Sequence, residues 1–401
     1  MREMKDSGID YIGQIPLNWK ECRLKFLCLI TTGNEDTQNS DPDGEFPFYV
    51  RSPIIEKSKK YTFDGEGILV AGDGAGAGRI FHHAYGKYAV HQRVYRLYNF
   101  GFNSNFICYY LSNLFPFEMD KGSAQSTVPS MRLPMLSNFT LFLPELTIAS
   151  KIADFLDQKC SEIDALTADI QTQIETLEEY KKSVITEAVT KGLDPNVEMK
   201  DSHCFYVGLI NKNWDTTKIG YFCKKMYHPV DENLIPLICS NKGKVEIRDN
   251  SLVGRMVSEN HAMQGIRQGE IAIHGMDTWH GAIGISTFDG NITRVVHVCQ
   301  STGDNRFVVY YLQSLAFRNV YKLISNGIRG NTSDFRSWEL VKKIVAPHPS
   351  KTEQSQIADF LDQKCSEIDQ TISEKQQQLE TLAEYKKSLI YEYVTGKMEV
   401  D

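Results

Sequence analysis

Two stretches of this chain carry apolar residues in alternating steps of three and four. In the first, Leu156, Ile163, Ile170, Leu177 and Val184 recur every seven residues, and Ile152, Leu166, Ile174 and Tyr180 fill the intervening steps. Five successive heptad positions predict the seam of a coiled coil. No proline falls between Pro144 and Pro195, and Gly192 followed by Pro195 predicts the stop. The second stretch repeats the pattern with Leu361, Ile368, Ile372, Leu379, Leu382 and Leu389, but places Lys375 at one seam position and so leaves the register open there. A helix of about 40 residues is roughly 60 Å long. Neither helix can bury its stripe alone, and packing one against the other is the economical solution.

Elsewhere the period shortens. Residues 67–71, 88–97 and 270–274 are apolar or alternating and bounded by glycines, which predicts strands, while 105–114 and 306–316 read as short helices with one apolar face. Each long helix therefore follows a mixed α/β globule rich in short strands.

The pattern is duplicated. Residues 152–164 read IADFLDQKCSEID, and residues 357–369 read the same thirteen letters 205 positions later. At that offset YKKS (180–183) recurs at 385–388, Pro144 matches Pro349, and Gly122 and Thr127 match Gly327 and Thr332. The openings of the halves correspond at an offset of 195, with YIGQIPLNW (11–19) against YVGLINKNW (206–214) and Cys28 against Cys223. The change of offset means that the flanks are retained while the middles differ in length. Gly72 and Gly78 resemble Gly275 and Gly281 in spacing, but the side chains around them differ. Each half is thus a similar frame with its own insert.

Charge first argues against a nucleic-acid partner, since the net charge is −7. Divided along the chain it does not. Residues 1–144 hold 15 Lys+Arg against 15 Asp+Glu, and 201–349 hold 17 against 13. The helical segments 145–200 and 350–401 hold 6 against 12 and 6 against 11, so the acidity is confined to them and a basic face elsewhere remains open. Nine scattered cysteines with no C-x-x-C pair predict neither a disulfide framework nor a structural zinc site, and fit a reducing cytoplasm. The first twenty residues lack the apolar core of a signal peptide, and runs such as 26–30 fall far short of a membrane span of about 20 residues. A cytoplasmic protein is expected.

Catalytic motifs are scarce. The run 72–77 (GDGAGA) satisfies G-x-G-x-x-G/A, but no helical period follows it and His91, Gln92 and Arg93 stand where a ribose-binding acid belongs. It reads as a turn between strands. The chain has no Pro-Pro of an amine methyltransferase motif and no G-x-x-x-x-G-K-[ST] phosphate loop. His82, His83, His274 and His280 show no metal-ligand spacing. No catalytic residue, metal site or cofactor site is expected.

What remains suits nucleic acid. The first half offers Arg51, Ser52, Lys57, Lys59, Lys60, Arg79, His82, His83, Gln92 and Arg93, followed by a polar loop with Lys121, Ser123, Gln125 and Ser126. The second offers Ser240, Asn241, Lys242, Lys244, Arg255, His274, Trp279, His280 and Arg294, and a later loop with Arg329, Asn331 and Thr332. Lysines and arginines near phosphates supply affinity, while Arg, Asn, Gln and Ser at base edges discriminate.

Two different inserts on a duplicated helical frame, the opening YIGxIPxxW, the repeated IADFLDQKCSEID, and LEEYKKSVI with its later form LAEYKKSLI together resemble the specificity subunit of bacterial type I restriction–modification enzymes. The resemblance covers nearly the whole chain. It implies an α/β (α+β) protein with two globular target-recognition domains, joined by two long antiparallel helices that form a coiled-coil spacer with an internal pseudo-twofold repeat. The expected boundaries are 1–144 for the first recognition domain, 145–192 for the first spacer helix, 193–349 for a linker and the second recognition domain, and 350–397 for the second helix. It further implies a non-catalytic protein that reads a bipartite, non-palindromic DNA target. Its partners are double-stranded DNA, two methylation subunits and, through them, the restriction subunits. S-adenosylmethionine and ATP with magnesium belong to those partners and not to this chain. Two other classes stay open on the residues alone: a coiled-coil scaffold with two protein-binding lobes, and a methyltransferase or nuclease with fused recognition domains.

Overall fold

A computed structural model describes residues 2–122, 129–248, 263–325 and 334–400. The chain forms two compact units. One comprises residues 1–170 and 376–401, the other residues 171–375. The division falls inside the long helices, so each helix contributes a part to each unit.

In the first unit, β1 (Leu29–Thr32), β2 (Phe46–Tyr49), β3 (Gly67–Ala71), β4 (Phe81–Ala84), β5 (Lys87–Val90) and β6 (Val94–Tyr98) precede α1 (Ser104–Gly122) and α2 (Leu146–Lys191). One antiparallel sheet has the order β1-β6-β3-β4. The alternation of β3 sets its two faces: Ile68 and Val70 pack on the core beneath α1, and Leu69 packs with Tyr49, Tyr88 and Val90 on the other side. Beside it β2 and β5 pair in parallel, Phe48 opposite Ala89. Residues 88–97, expected as one strand, are two. His91 is buried and accepts the Arg93 backbone N–H on Nδ1 at 3.0 Å, while Val94 N–H bonds the His91 carbonyl at 2.9 Å. The chain therefore turns at 91–93 and presents Gln92 and Arg93 at a tip.

The second unit repeats this plan with β7 (Cys223–Lys225), β8 (Ile271–His274), β9 (Ile283–Ile285) and β10 (Val296–Ser301), followed by α3 (Asn305–Phe317) and α4 (Lys351–Val394). The sheet order β7-β10-β8-β9 matches that of the first unit strand for strand. Ile271 and Ile273 again face the helical core, and Ala272 faces a second cluster with Leu237 and Val298.

The long helices pack antiparallel within each unit. In the first, Phe155 lies against Tyr393 with ring centroids 4.5 Å apart, and Lys386 Nζ bonds Asp164 at 2.6 Å. In the second, Lys181 Nζ bonds Asp369 at 2.6 Å, and Lys375 Nζ donates to Gln173 Oε1. The duplication explains the symmetry: Lys181 and Asp164 stand 205 positions before Lys386 and Asp369. It also explains Asp157 and Asp362, which accept the hydroxyls of Tyr109 and Tyr310 at 2.7 Å and so tie each shorter helix to its long one.

Leu156, Ile163, Ile170, Leu361, Ile368, Ile372 and Leu389 are buried, and Leu177, Val184, Leu379 and Leu382 are half-buried. Two of the intervening positions differ from expectation, because Leu166 and Tyr180 are 47% and 49% exposed. The inward steps run through Cys160, Thr167 and Ile174, one residue off from Leu166, so that side chain turns about 100° away from the seam.

The paired tryptophans close the helices. Gly192, at φ +87°, ends α2 with its Cα side against Trp214, and Gly396, at φ +70°, ends the last turn after α4 against Trp19 and Pro16. Both positions need the left-handed backbone that favours glycine. Tyr391 donates to the carbonyls of Tyr11 and Ile12 at 3.1 Å, and Arg2 Nε lies 3.3 Å from Glu399, which brings the chain's beginning and end together.

Candidate nucleic-acid interface

The first unit gathers part of the expected set around one carboxylate. Asp73 follows β3, Arg51 follows β2, and Arg93 sits on the turn between β5 and β6. Arg51 Nη1 bonds Asp73 Oδ1 at 2.8 Å and Arg93 Nη1 bonds Asp73 Oδ2 at 2.6 Å. The backbone beneath is fixed: Gly72 N–H bonds the Arg93 carbonyl at 2.9 Å, Met131 N–H bonds the Gly72 carbonyl at 2.8 Å, and Gln92 N–H bonds the Glu35 carbonyl at 2.8 Å. Partial burial pushes the Asp73 carboxyl up, but the hydrogen bonds and charges of Arg51 and Arg93 outweigh it and hold the group below the usual carboxylate range.

Ser52 and His82 adjoin this cluster, with His82 Nε2 3.1 Å from the Ser52 carbonyl oxygen, and Gln92 donates to Asp36 at 2.8 Å. His83 does not join it. Neighbours on a strand face opposite ways, and His83 Nε2 meets Glu66 at 2.9 Å beside the start of α1. Lys121 also lies apart, its ammonium 4.7 Å from the Tyr11 ring centroid. Arg79 pairs with Asp120 and Lys59 with Asp41, while Lys57 and Lys60 are exposed. Ser123, Gln125 and Ser126 lie outside the described residues.

The second unit builds different chemistry on the same backbone. Phe335 N–H bonds the Gly275 carbonyl at 2.8 Å, as Met131 bonds Gly72. Next to it, His274 Nδ1 accepts the Asp277 N–H at 3.1 Å, and Arg336 Nε bonds Asp334 at 2.9 Å. Asn241 and His280 approach to 3.5 Å, the Ser240 hydroxyl bonds the Lys244 carbonyl, and Lys242 is exposed. Arg294 spends its Nε on the Met263 carbonyl at 2.9 Å. Trp279, expected on the contact face, is instead half-buried against the core, with Lys322 4.4 Å above its ring. Arg255, Arg329, Asn331 and Thr332 lie outside the described residues.

Burial lowers the histidines at or near these faces: His82, His83, His91 and His274 all titrate below the ordinary value, despite opposing contributions from nearby acceptors or carboxylates. At neutral pH the positive potential therefore comes from arginine and lysine. Asp73 and Arg336 were missed in the sequence. Asp73 is one acid inside a glycine-rich turn, and Arg336 lies far along the chain from the β8 turn it adjoins, so neither carried a local signal.

Among the described residues no group of His, Cys, Asp and Glu is placed to hold a metal ion, and no helix is long and apolar enough to cross a membrane.

Residues 16–176 match the type I restriction modification DNA specificity domain. The specificity subunit of the type I restriction enzyme EcoDI from Escherichia coli is 22% identical over 328 residues, covering 76% of this chain and 72% of that protein. That of MjaVIII from Methanocaldococcus jannaschii is 23% identical over 431 residues, covering 96% and 94%. A chain solved in work on complex assembly and conformational transition of the type I R-M system shares the fold, with a TM-score of 0.68 at 12% identity over 96% of this chain and 99% of that one. Over most of its length the chain is thus similar to the specificity subunits of type I restriction–modification enzymes. It is the DNA-recognition component of its complex and not a catalytic one.

Proposed function

We propose that this specificity subunit reads a bipartite, non-palindromic DNA target in the cytoplasm, with one half-site for each recognition domain. It directs two methylation subunits to that target and, through them, the restriction subunits. The chain itself holds no cofactor; S-adenosylmethionine and ATP with magnesium serve the partners.

One observation carries this reading. The two units share strand order and the hydrogen bond that seats the β3 and β8 turns, yet present Arg51, Asp73 and Arg93 in one and His274, Asp277 and Arg336 in the other. A duplicated frame with unlike polar faces suits two unlike half-sites, just as twofold proteins suit like ones. The expected boundaries, at 144/145, 192/193 and 349/350, separate these faces from the helices.

The test is to assemble the complex and map methylated adenines in DNA exposed to it. A split motif with unlike halves is expected, together with binding that weakens linearly in log salt. A palindromic motif, or DNA binding indifferent to salt, would refute the proposal.

A further inference from the structure

Among the described residues, Asp73 is the one carboxylate that holds two arginines at once. Its side chain is 15% exposed, whereas those of Arg51 and Arg93 are 43% and 64% exposed. The acid is thus sunk between two guanidinium groups that remain accessible. Each arginine gives one nitrogen to Asp73, which leaves most of the five N–H donors of a guanidinium for a ligand. Both stand on fixed backbone, since Arg51 closely follows β2, Arg93 follows β5, and these strands are paired neighbours. The hydrogen bonds of Gly72 and His91 to the Arg93 backbone remove its remaining freedom.

Such a device suits a base edge better than a phosphate. A phosphate clamp gains from every positive charge, and a carboxylate shared by two arginines cancels half of theirs while repelling the phosphate itself. A base edge demands orientation. Guanine offers O6 and N7 as two adjacent acceptors in the major groove, and a guanidinium fork held in one plane meets both. Holding the fork beforehand also reduces the side-chain entropy lost on binding.

We infer that Arg51 and Arg93 each read a guanine in the half-site of the first recognition domain, and that Asp73 is the positioning residue that orients both forks. The inference rests on the DNA-reading function proposed above. It predicts two G·C pairs in that half-site. The second unit has no shared-carboxylate pair of arginines among its described residues. Arg336 is held by its near neighbour Asp334 alone, so the other half-site follows a different rule.

The experiment uses the full chain assembled with its methylation subunits, and reads both the methylated motif and binding to duplexes randomised within it. Arg93→Gln and Arg51→Gln should each relax one G·C position of the same half-site, with discrimination falling on the order of 10- to 100-fold, and leave the other half-site unchanged. Arg93→Lys keeps the charge but loses the planar fork. It should lose discrimination while the salt dependence stays as in the parent. Asp73→Asn should relax both positions together, yet bind non-specific DNA at least as tightly, because it removes a negative charge. A merely structural Asp73 would instead weaken all binding.

The inference fails if the arginine variants weaken every sequence equally and preserve the motif, the signature of phosphate contacts. It also fails if Arg93→Lys discriminates like the parent, or if the affected half-site contains no G·C pair. A parent complex that shows no split motif and no salt-sensitive binding refutes the DNA-reading proposal itself, which keeps the two failures apart. Arg93 is well exposed, so Arg93→Lys preserves the fold if any variant does, and its motif alone decides the matter.

Discussion

Replacing Lys375 by isoleucine restores what the first copy of the helix has, since Ile170 stands at the equivalent place and is 6% exposed. Lys375 is half-buried and donates to Gln173, with both partners near water. Fully burying an isoleucine side chain contributes about 1.5–3 kcal/mol, and half-burial about 1–1.5. The exposed hydrogen bond that is lost contributes about 0.5 kcal/mol. Part of the lysine stem already covers apolar surface, which trims the gain. Lys375→Ile should therefore stabilise the second unit by about 0.5–1 kcal/mol. The tryptophans make this measurable, because Trp19 alone belongs to the first unit and Trp214, Trp279 and Trp338 belong to the second. In a Trp19→Phe background, urea unfolding followed by fluorescence reports the second unit only. A later midpoint with unchanged slope is the expected result. A second unit destabilised by 0.5 kcal/mol or more would show that the Lys375–Gln173 contact outweighs the apolar seam, and would refute this reasoning.

Three further outcomes are expected. Gly396→Ala places a Cβ 2.7 Å from Pro16 and Trp19 at a positive φ, so the first unit should lose at least about 1–2 kcal/mol, seen as earlier unfolding in the Trp19 signal. His82, His83, His91, His274 and His297 all have lowered pKa values in the folded chain, with burial the leading cause. The unfolded chain then binds more protons near and below pH 6.5, so the histidine contribution to stability should fall as the pH is lowered from there and level off only below the folded values; urea midpoints at pH 7.5 and 5.5 check this. The purified chain alone should neither transfer a labelled methyl group to DNA nor hydrolyse ATP.

The sequence displayed the frame well, because its determinants are periodic and repeated. Heptad leucines and isoleucines need no tertiary information, and an identical thirteen-residue segment must find equivalent partners, as Asp157 and Asp362 do. Leu166 and Tyr180 show the limit of that reading. Three-step and four-step spacings are both compatible with a helix, and only the facing helix decides between them. The proposed recognition faces were legible as composition and not as geometry. His82 and His83 are adjacent letters that a strand sends to opposite sides. Trp279 carries an aromatic signal that serves a core as readily as a nucleic acid. Asp73 acquires its role from Arg51 and Arg93, about twenty residues away on either side, through a turn at His91 that no local pattern announces.

The meeting of the chain's ends has a consequence for its synthesis. The first unit needs residues 376–401, and the whole of residues 171–375 is translated before they appear. At 5–20 residues per second that interval lasts roughly 10–40 s. Throughout it, Leu389, Ile390, Tyr393 and Val394 are missing from the core that Leu156, Cys160 and Ile163 belong to. The second unit is contiguous and can close as soon as its own last residues leave the ribosome. The domain encoded first is therefore the last to be completed. A stop codon or frameshift in the codons for residues 376–401 strikes the unit that begins the chain, and leaves intact the unit encoded immediately before it.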